Sequence, residues 1–220
     1  MKYILPILLF IFTACTGNDE IRILFTGDIL LSRNVREEYQ QRGESPWIYM
    51  KPLFQQVDLV VGNLEGAVAD SISATSSEHG NSGDVSSLVF DINPDDISIL
   101  REAGFNIITI ANNHSQDLCA AGVERTITAL INNDIRPVSY DLSPQFFTVR
   151  DVVISVVAIN TVPANRNDAV PSVETMQKLR LARTLSQMVI VSIHWGSELL
   201  EWHNKNQRTM AEWLIEKGNE

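Results

Sequence analysis

Short, mostly β-branched apolar runs alternate with amphipathic stretches along most of this chain. The runs fall at residues 21–26, 58–62, 106–111, 152–160 and 188–193. They are near-continuous rather than alternating in polarity, the pattern of strands covered on both faces, as in a parallel sheet. Helical patterns lie between them. One covers 33–41 and is stopped by Gly43. A second starts at Asn93 as N-cap, with Pro94 at the first position and Asp95 and Asp96 in the positive first turn, and closes at Gly104. A third begins near Ala120 and places Val123, Ile127, Leu130 and Ile131 on one face. Two more cover 173–186 and 204–217, while the Ser- and Gly-rich residues 71–87 predict a loop. Strand and helix in alternation predict one α/β layered domain over 21–220, without a repeat or a second domain.

The polar residues that follow these runs carry the candidate chemistry. Gly27-Asp28, Asn63-Leu64-Glu65, Asn112-Asn113-His114 and His194-Trp195-Gly196 each stand where a strand gives out. Open α/β sheets keep ligands outside the carboxyl ends of their strands, so these groups are expected to converge along one edge of one sheet. Any one of them alone reads more readily as a helix cap or a core hydrogen-bonder than as a ligand. Four such ends together point to a site. Carboxylate, amide and imidazole donors in mixture suit Mn, Fe or Zn, as one ion or two, and a pair of ions serves phosphoryl displacement. The glycine-rich nucleotide loops and the G-x-S-x-G nucleophile elbow are absent from the sequence.

The start of the chain adds an address. Lys2, an apolar run over 4–12 and Thr13-Ala14-Cys15 have the layout of a secretory signal peptide, too short to span a bilayer. Its end resembles a bacterial lipobox, which would make Cys15 the lipidated first residue of the mature protein and 16–20 a tether; a plain signal peptide is the alternative. Lipidation would anchor the domain to a membrane of the cell envelope, facing away from the cytoplasm. The balance of 27 acidic and 17 basic side chains, net −10, argues against a nucleic-acid partner. The only other cysteine is Cys119, so no disulfide framework is implied.

Thr26-Gly27-Asp28, Val61-Gly62-Asn63-Leu64-Glu65-Gly66, Ala103-Gly104-Phe105-Asn106 running into Ala111-Asn112-Asn113-His114 with Asp117 behind, and Val191-Ser192-Ile193-His194-Trp195-Gly196 with Glu198 resemble the CapA family. The likeness covers about 22–218. It implies a link to poly-γ-glutamate capsule synthesis or export and a layered sandwich of the metallo-dependent phosphatase type. By that resemblance Asp28, Glu65, Asn113 and His194 would be metal ligands. His114 would be the acid that protonates the leaving oxygen, and Asn63, Asn112, Asp117 and Glu198 would stand behind the ligands and orient them. Gln207 matches a glutamine of the family pattern without an assignable role.

The resemblance also has departures. The phosphoesterase Asp-x-His motif is here Asp28-Ile29-Leu30, so one metal site lacks an imidazole. Cys119 replaces a usual glycine, either as an extra ligand or, the favoured reading, as a space-filler. The family's later strand and Gly-His-His-Pro-His segment have no counterpart before Glu220, which implies a C-terminally truncated domain of slight activity. Two functions of different class are therefore expected. One is a metal-dependent phosphoesterase-like hydrolase acting on a phosphoester; the other is a non-catalytic protein that holds an anionic polymer, with membrane capsule-synthesis proteins as candidate partners.

Overall fold

The computed structural model describes residues 20–70, 88–139, 141, 143–162, 170–197 and 200–217. The expected signal peptide with Cys15, the Ser/Gly stretch 71–87 and Glu198 lie outside them. In chain order the elements are β1 (Ile23–Ile29), α1 (Arg33–Arg42), α2 (Lys51–Phe54), β2 (Leu59–Leu64), β3 (Ala67–Val68), β4 (Asp91–Ile92) and α3 (Ile97–Ala103). There follow β5 (Ile107–Thr109), α4 (Cys119–Asn132), β6 (Arg136–Val138), β7 (Gln145–Val149), β8 (Val152–Asn160), α5 (Val173–Leu185), β9 (Met188–His194) and α6 (Lys205–Lys217).

The strands form two main sheets rather than one. The first has the order β1-β2-β5-β6, all parallel. The second has the order β7-β8-β9, with β8 parallel to β9 and antiparallel to β7. β3 and β4 make a short parallel ladder beside the first sheet. The expectation that every site-bearing strand lies in one sheet is thus corrected. The cause is local: Arg150 (φ 55°) and Asp151 turn the chain tightly between β7 and β8. β8 then takes β7 on one side and β9 on the other, which leaves it no edge for the first sheet.

The two sheets pack face to face. Leu59, Val61, Ile107, Ala111 and Val138 from the first meet Ile154, Val156 and Ala158 from the second. Alternate residues of the first sheet point the other way, because strand side chains have period two. Val60, Leu64, Ile108 and Ile110 pack there against Tyr39 of α1, Phe54 of α2, Leu100 of α3 and Leu130 of α4. α5 covers β8 and β9 on the far side. Helices, sheet, sheet and helix in that order are the layered α/β sandwich expected from the alternation. Phe105, fully buried, sets its ring edge-on to Trp47 and Phe54 at centroid distances of 5.3 and 5.2 Å. Burying such a ring contributes about 2–3 kcal/mol, and it fixes the chain just before β5.

Helix ends follow the local chemistry. Asn93 Oδ1 accepts from Asp95 N at 3.0 Å, as a capping asparagine should. The segment it opens starts as a 3-10 turn over Pro94–Asp96 and only then becomes α3. Asn204 and Gln207 form a reciprocal cap at the start of α6: Asn204 N donates to Gln207 Oε1 at 2.8 Å and Gln207 N to Asn204 Oδ1 at 3.0 Å. That gives the glutamine a structural role.

Candidate metal centre

Asp28 is placed by an irregularity in β1. Phe25 pairs with Val61 and Asp28 with Asn63, so Thr26 and Gly27 together oppose Gly62. Such a bulge bends the strand and re-aims the next side chain. Gly62 allows the close approach: a Cβ there would lie 2.5 Å from Ile29 Cδ1, 2.8 Å from Thr26 Oγ1 and 2.9 Å from Phe105 Cε1. Asp28 is therefore the next-to-last residue of β1 rather than the first after it, and its side chain is 60% exposed.

Asn63, within β2, is the hub of the site. Its Nδ2 donates to Asp28 Oδ1 at 2.8 Å and to Glu65 Oε2 at 2.9 Å. Its Oδ1 accepts from Thr109 Oγ1 at 3.2 Å and from Asn112 Nδ2 at 3.1 Å. An amide with both donors and its acceptor engaged has no rotational freedom left, so it fixes the spacing of the two carboxylates. Glu65 follows β2, and its backbone N donates to Ile29 O at 2.9 Å. Gly66, at φ 130°, then turns the chain where a Cβ would meet Phe90 O at 2.3 Å; only glycine fits.

The β5–α4 loop supplies the next group. Asn112, nearly fully buried, donates to Leu64 O at 2.8 Å and accepts from His114 N at 3.1 Å. This bracing holds the loop to β2. His114 Nδ1 lies 2.9 Å from Asp117 Oδ2, and Asp117 also accepts from Phe90 N at 2.7 Å. The Phe90 ring stacks on the His114 imidazole at 4.1 Å between centroids, tilted by 32°. His114 is therefore held on its edge by a carboxylate and on its face by an aromatic ring.

His194 arrives from the second sheet, at the end of β9 and paired with Asn160 of β8. Its Nε2 lies 2.8 Å from Asn113 Oδ1 and 3.8 Å from Glu65 Oε1, and its Nδ1 lies 3.7 Å from Asp28 Oδ1. An amide oxygen can only accept, so Nε2 carries the hydrogen in this arrangement. Asp28, Glu65 and His194 each offer a donor atom within 4.8 Å of the others. Ligands at about 2.0–2.2 Å from one ion stand roughly 3–4.4 Å apart, so small shifts would close this set around a single cation. Two carboxylates, one imidazole and the Asn113 amide oxygen fit Mn or Fe, and also Zn.

The electrostatics of the two acids differ. Burial pushes the Glu65 carboxyl above its ordinary range, against the neighbouring His194. The His194 ring holds the more exposed Asp28 carboxyl below its ordinary range, with the Asn63 amide adding to the effect. A pocket of about 170 Å³ between the sheets is lined by Asp28, Asn63 and His194 of the cluster together with Thr26, Ala158 and Ser192 among others.

The structure thus brings together Asp28, Asn63, Glu65, Asn112, Asn113, His114, Asp117 and His194; Glu198 and Cys15 lie outside the described residues. Cys119 is exposed and outside the cluster, so it neither ligates nor fills a packed space. Sequence reasoning missed Thr109 and Phe90. Thr109 hides in a β-branched run, where threonine reads as a strand former. Phe90 stands alone after the Ser/Gly stretch, with no periodic neighbour to mark it.

The chain is similar to known proteins in three comparisons. A family model described as bacterial capsule synthesis protein PGA_cap matches residues 22–219. The PGA biosynthesis protein CapA of Bacillus subtilis (strain 168) is 25% identical, over 92% of this chain and 56% of that protein. The capsule biosynthesis protein CapA of Bacillus anthracis is 23% identical, over 91% of this chain and 53% of its own length. The chain spans about half the length of the curated relatives it matches. Among solved structures, a novel phosphatase from Mycoplasma pneumoniae is similar at a TM-score of 0.42 and 20% identity, over 79% of this chain and 55% of that one.

Proposed function

This chain belongs to the bacterial capsule synthesis protein family PGA_cap, and on that premise we propose that it is a cell-envelope protein whose cleft binds one divalent cation and cleaves a phosphoester. The observation that carries the reading is the convergence of Asp28, Glu65 and His194 within 4.8 Å, with Asn113 Oδ1 2.8 Å from His194. A bound Mn, Fe or Zn ion would supply Lewis acidity and lower the pKa of an attacking water. The protein's own groups do the rest. Asn63 sets the separation of the two carboxylates, and Asn113 Oδ1 and His194 Nε2, now hydrogen-bonded to each other, would hold the ion instead, with the imidazole hydrogen moved to Nδ1 on the side of Asp28. His114, with Asp117 fixing its Nδ1 hydrogen and ring plane, has Nε2 available to give a proton to the departing oxygen.

The test is hydrolysis of bis(p-nitrophenyl) phosphate by the manganese-loaded protein. His114→Gln should lower turnover by roughly 100-fold, the usual size of a general-acid contribution, with manganese affinity retained. Metal binding without any turnover would reject the hydrolase.

A second reading is favoured by one observation: the donor set holds a single imidazole, with Leu30 where the phosphoesterase motif has its histidine. A one-ion site of this kind suits a protein that holds an anionic polymer through the metal during capsule assembly, with little hydrolysis. We place either activity at the outer side of a membrane, anchored through lipidated Cys15. Cys15→Ser should move the protein from the membrane to the soluble fraction; unchanged retention would reject the anchor.

A further inference from the structure

Arg33 is the first residue of α1, and its backbone is left-handed, at φ 54°. Side chains other than glycine are disfavoured there, so an arginine held in that conformation points to the side chain as what is being kept. Its helix is pinned from beneath: Arg36 and Asp96 form an ion pair between α1 and the start of α3, with only 18% and 8% of the two side chains exposed. The strained residue is therefore presented by a fixed support.

The Arg33 guanidinium lies 6.0 Å from the centre of the Phe90 ring. The same ring also stacks on the His114 imidazole, at 4.1 Å between centroids. Arg33 thus shares a ring contact with His114, the group assigned to the leaving oxygen. Arg22, Arg36, Arg42 and Arg150 each pair with a carboxylate. Arg33 has no carboxylate within ion-pair distance among the described residues, and it is half-buried. In a chain of net charge −10, a half-buried guanidinium with no carboxylate partner among the described residues, one ring away from His114, is a place kept for an outside anion.

We propose that Arg33 is an anion-binding residue of this cleft, taking a second negative group, phosphate or carboxylate, on the part of the substrate that departs past His114. The proposal rests on the metal-centre reading above. It narrows the substrate class to phosphoesters whose leaving portion is itself anionic. A guanidinium presents a planar fork that matches either oxyanion with two parallel hydrogen bonds.

Binding of non-hydrolysable probes separates the possibilities. The manganese-loaded full chain is titrated calorimetrically with methylphosphonate, with methylenediphosphonate, which adds a second phosphonate, and with phosphonoacetate, which adds a carboxylate. Chelation of the metal in solution is common to all protein variants and cancels between them. Wild type should prefer at least one doubly anionic probe over methylphosphonate by tenfold or more, and the preferred probe identifies the second group as phosphate-like or carboxylate. Arg33→Gly should lose that preference with an unchanged or raised melting temperature, since glycine relieves the backbone; Arg33→Gln should lose it as well. A preference equal in wild type and both variants would overturn the proposal, as would no preference in wild type. A failure of manganese to bind, measured before any probe is added, would instead count against the metal centre itself.

Discussion

The two sheets contribute to the cleft on unequal terms. The first supplies Asp28, Asn63, Glu65 and, through its β5–α4 loop, Asn112, Asn113, His114 and Asp117. The Asn63 amide ties Asp28, Glu65 and Asn112 together, and β2 and β5, though not the edge strand β1, are buried on both faces. Among the described residues the second supplies His194 alone, from an edge strand that is half-buried along most of its length. The first sheet is thus a preformed half-site, whereas the position of His194 depends on how the sheets pack. A centre divided in this way should respond to mutations in the sheet interface even where they touch no ligand.

The largest expected effects come from two core truncations chosen to separate these roles. Ile154→Ala, at the interface between the sheets, and Leu100→Ala, on the helical side, each remove a fully buried side chain. Each should cost about 3 kcal/mol in urea unfolding. Only Ile154→Ala should also weaken manganese binding by the folded protein, by tenfold or more. Equal affinities in the two variants would remove the distinction between the half-sites.

Asn63→Ala comes next. It leaves Asp28, Glu65, Thr109 and Asn112 each without one partner. A loss of about 2 kcal/mol is expected for partly buried groups left unsatisfied, together with loss of metal affinity. The loss should appear in unfolding curves and in titration calorimetry.

Glu65→Gln should act in the opposite direction. Burial raises the Glu65 pKa in the folded state, so the neutral form is the one the fold favours. That stabilisation is complete below the unfolded carboxyl value of about 4.3 and is lost as pH rises through the higher folded value. The metal-free variant should therefore melt at a higher temperature than wild type at pH 7. The two should match near pH 4, as thermal melts at both pH values would register. Its metal affinity should fall. The smallest effect belongs to Gln207→Ala in the second region, where losing the α6 cap should cost about 0.5–1 kcal/mol without change in cation affinity.

Much of this was legible in the sequence, for definite reasons. Residues 58–62, 106–111 and 152–160 are strongly apolar and β-branched, and they mark β2, β5 and β8. Asn93, Pro94 and Gly104 bracket a helix by their backbone chemistry. The polar residues beyond the strands marked the cleft because parallel strands end at one edge. Strand partnership was not legible: a buried run looks alike whichever sheet it joins, so His194 was expected in the same sheet as Asp28. β6 was hidden by Pro137, which reads against a strand, and by its three-residue length. β3 and β4 are two residues each, too short for any periodicity. Phe90 and Arg33 carry meaning only through a stack that long-range folding creates.

The central claim is that one cation centre is assembled across the two sheets. Its most direct test is to titrate the full chain and His194→Ala with manganese, counting the free ion by electron paramagnetic resonance. One ion per chain in wild type, with affinity at least tenfold weaker in the variant and an unchanged circular dichroism spectrum, is the predicted result. Equal affinity and stoichiometry in the two proteins would contradict it, because His194 would then be no part of the site.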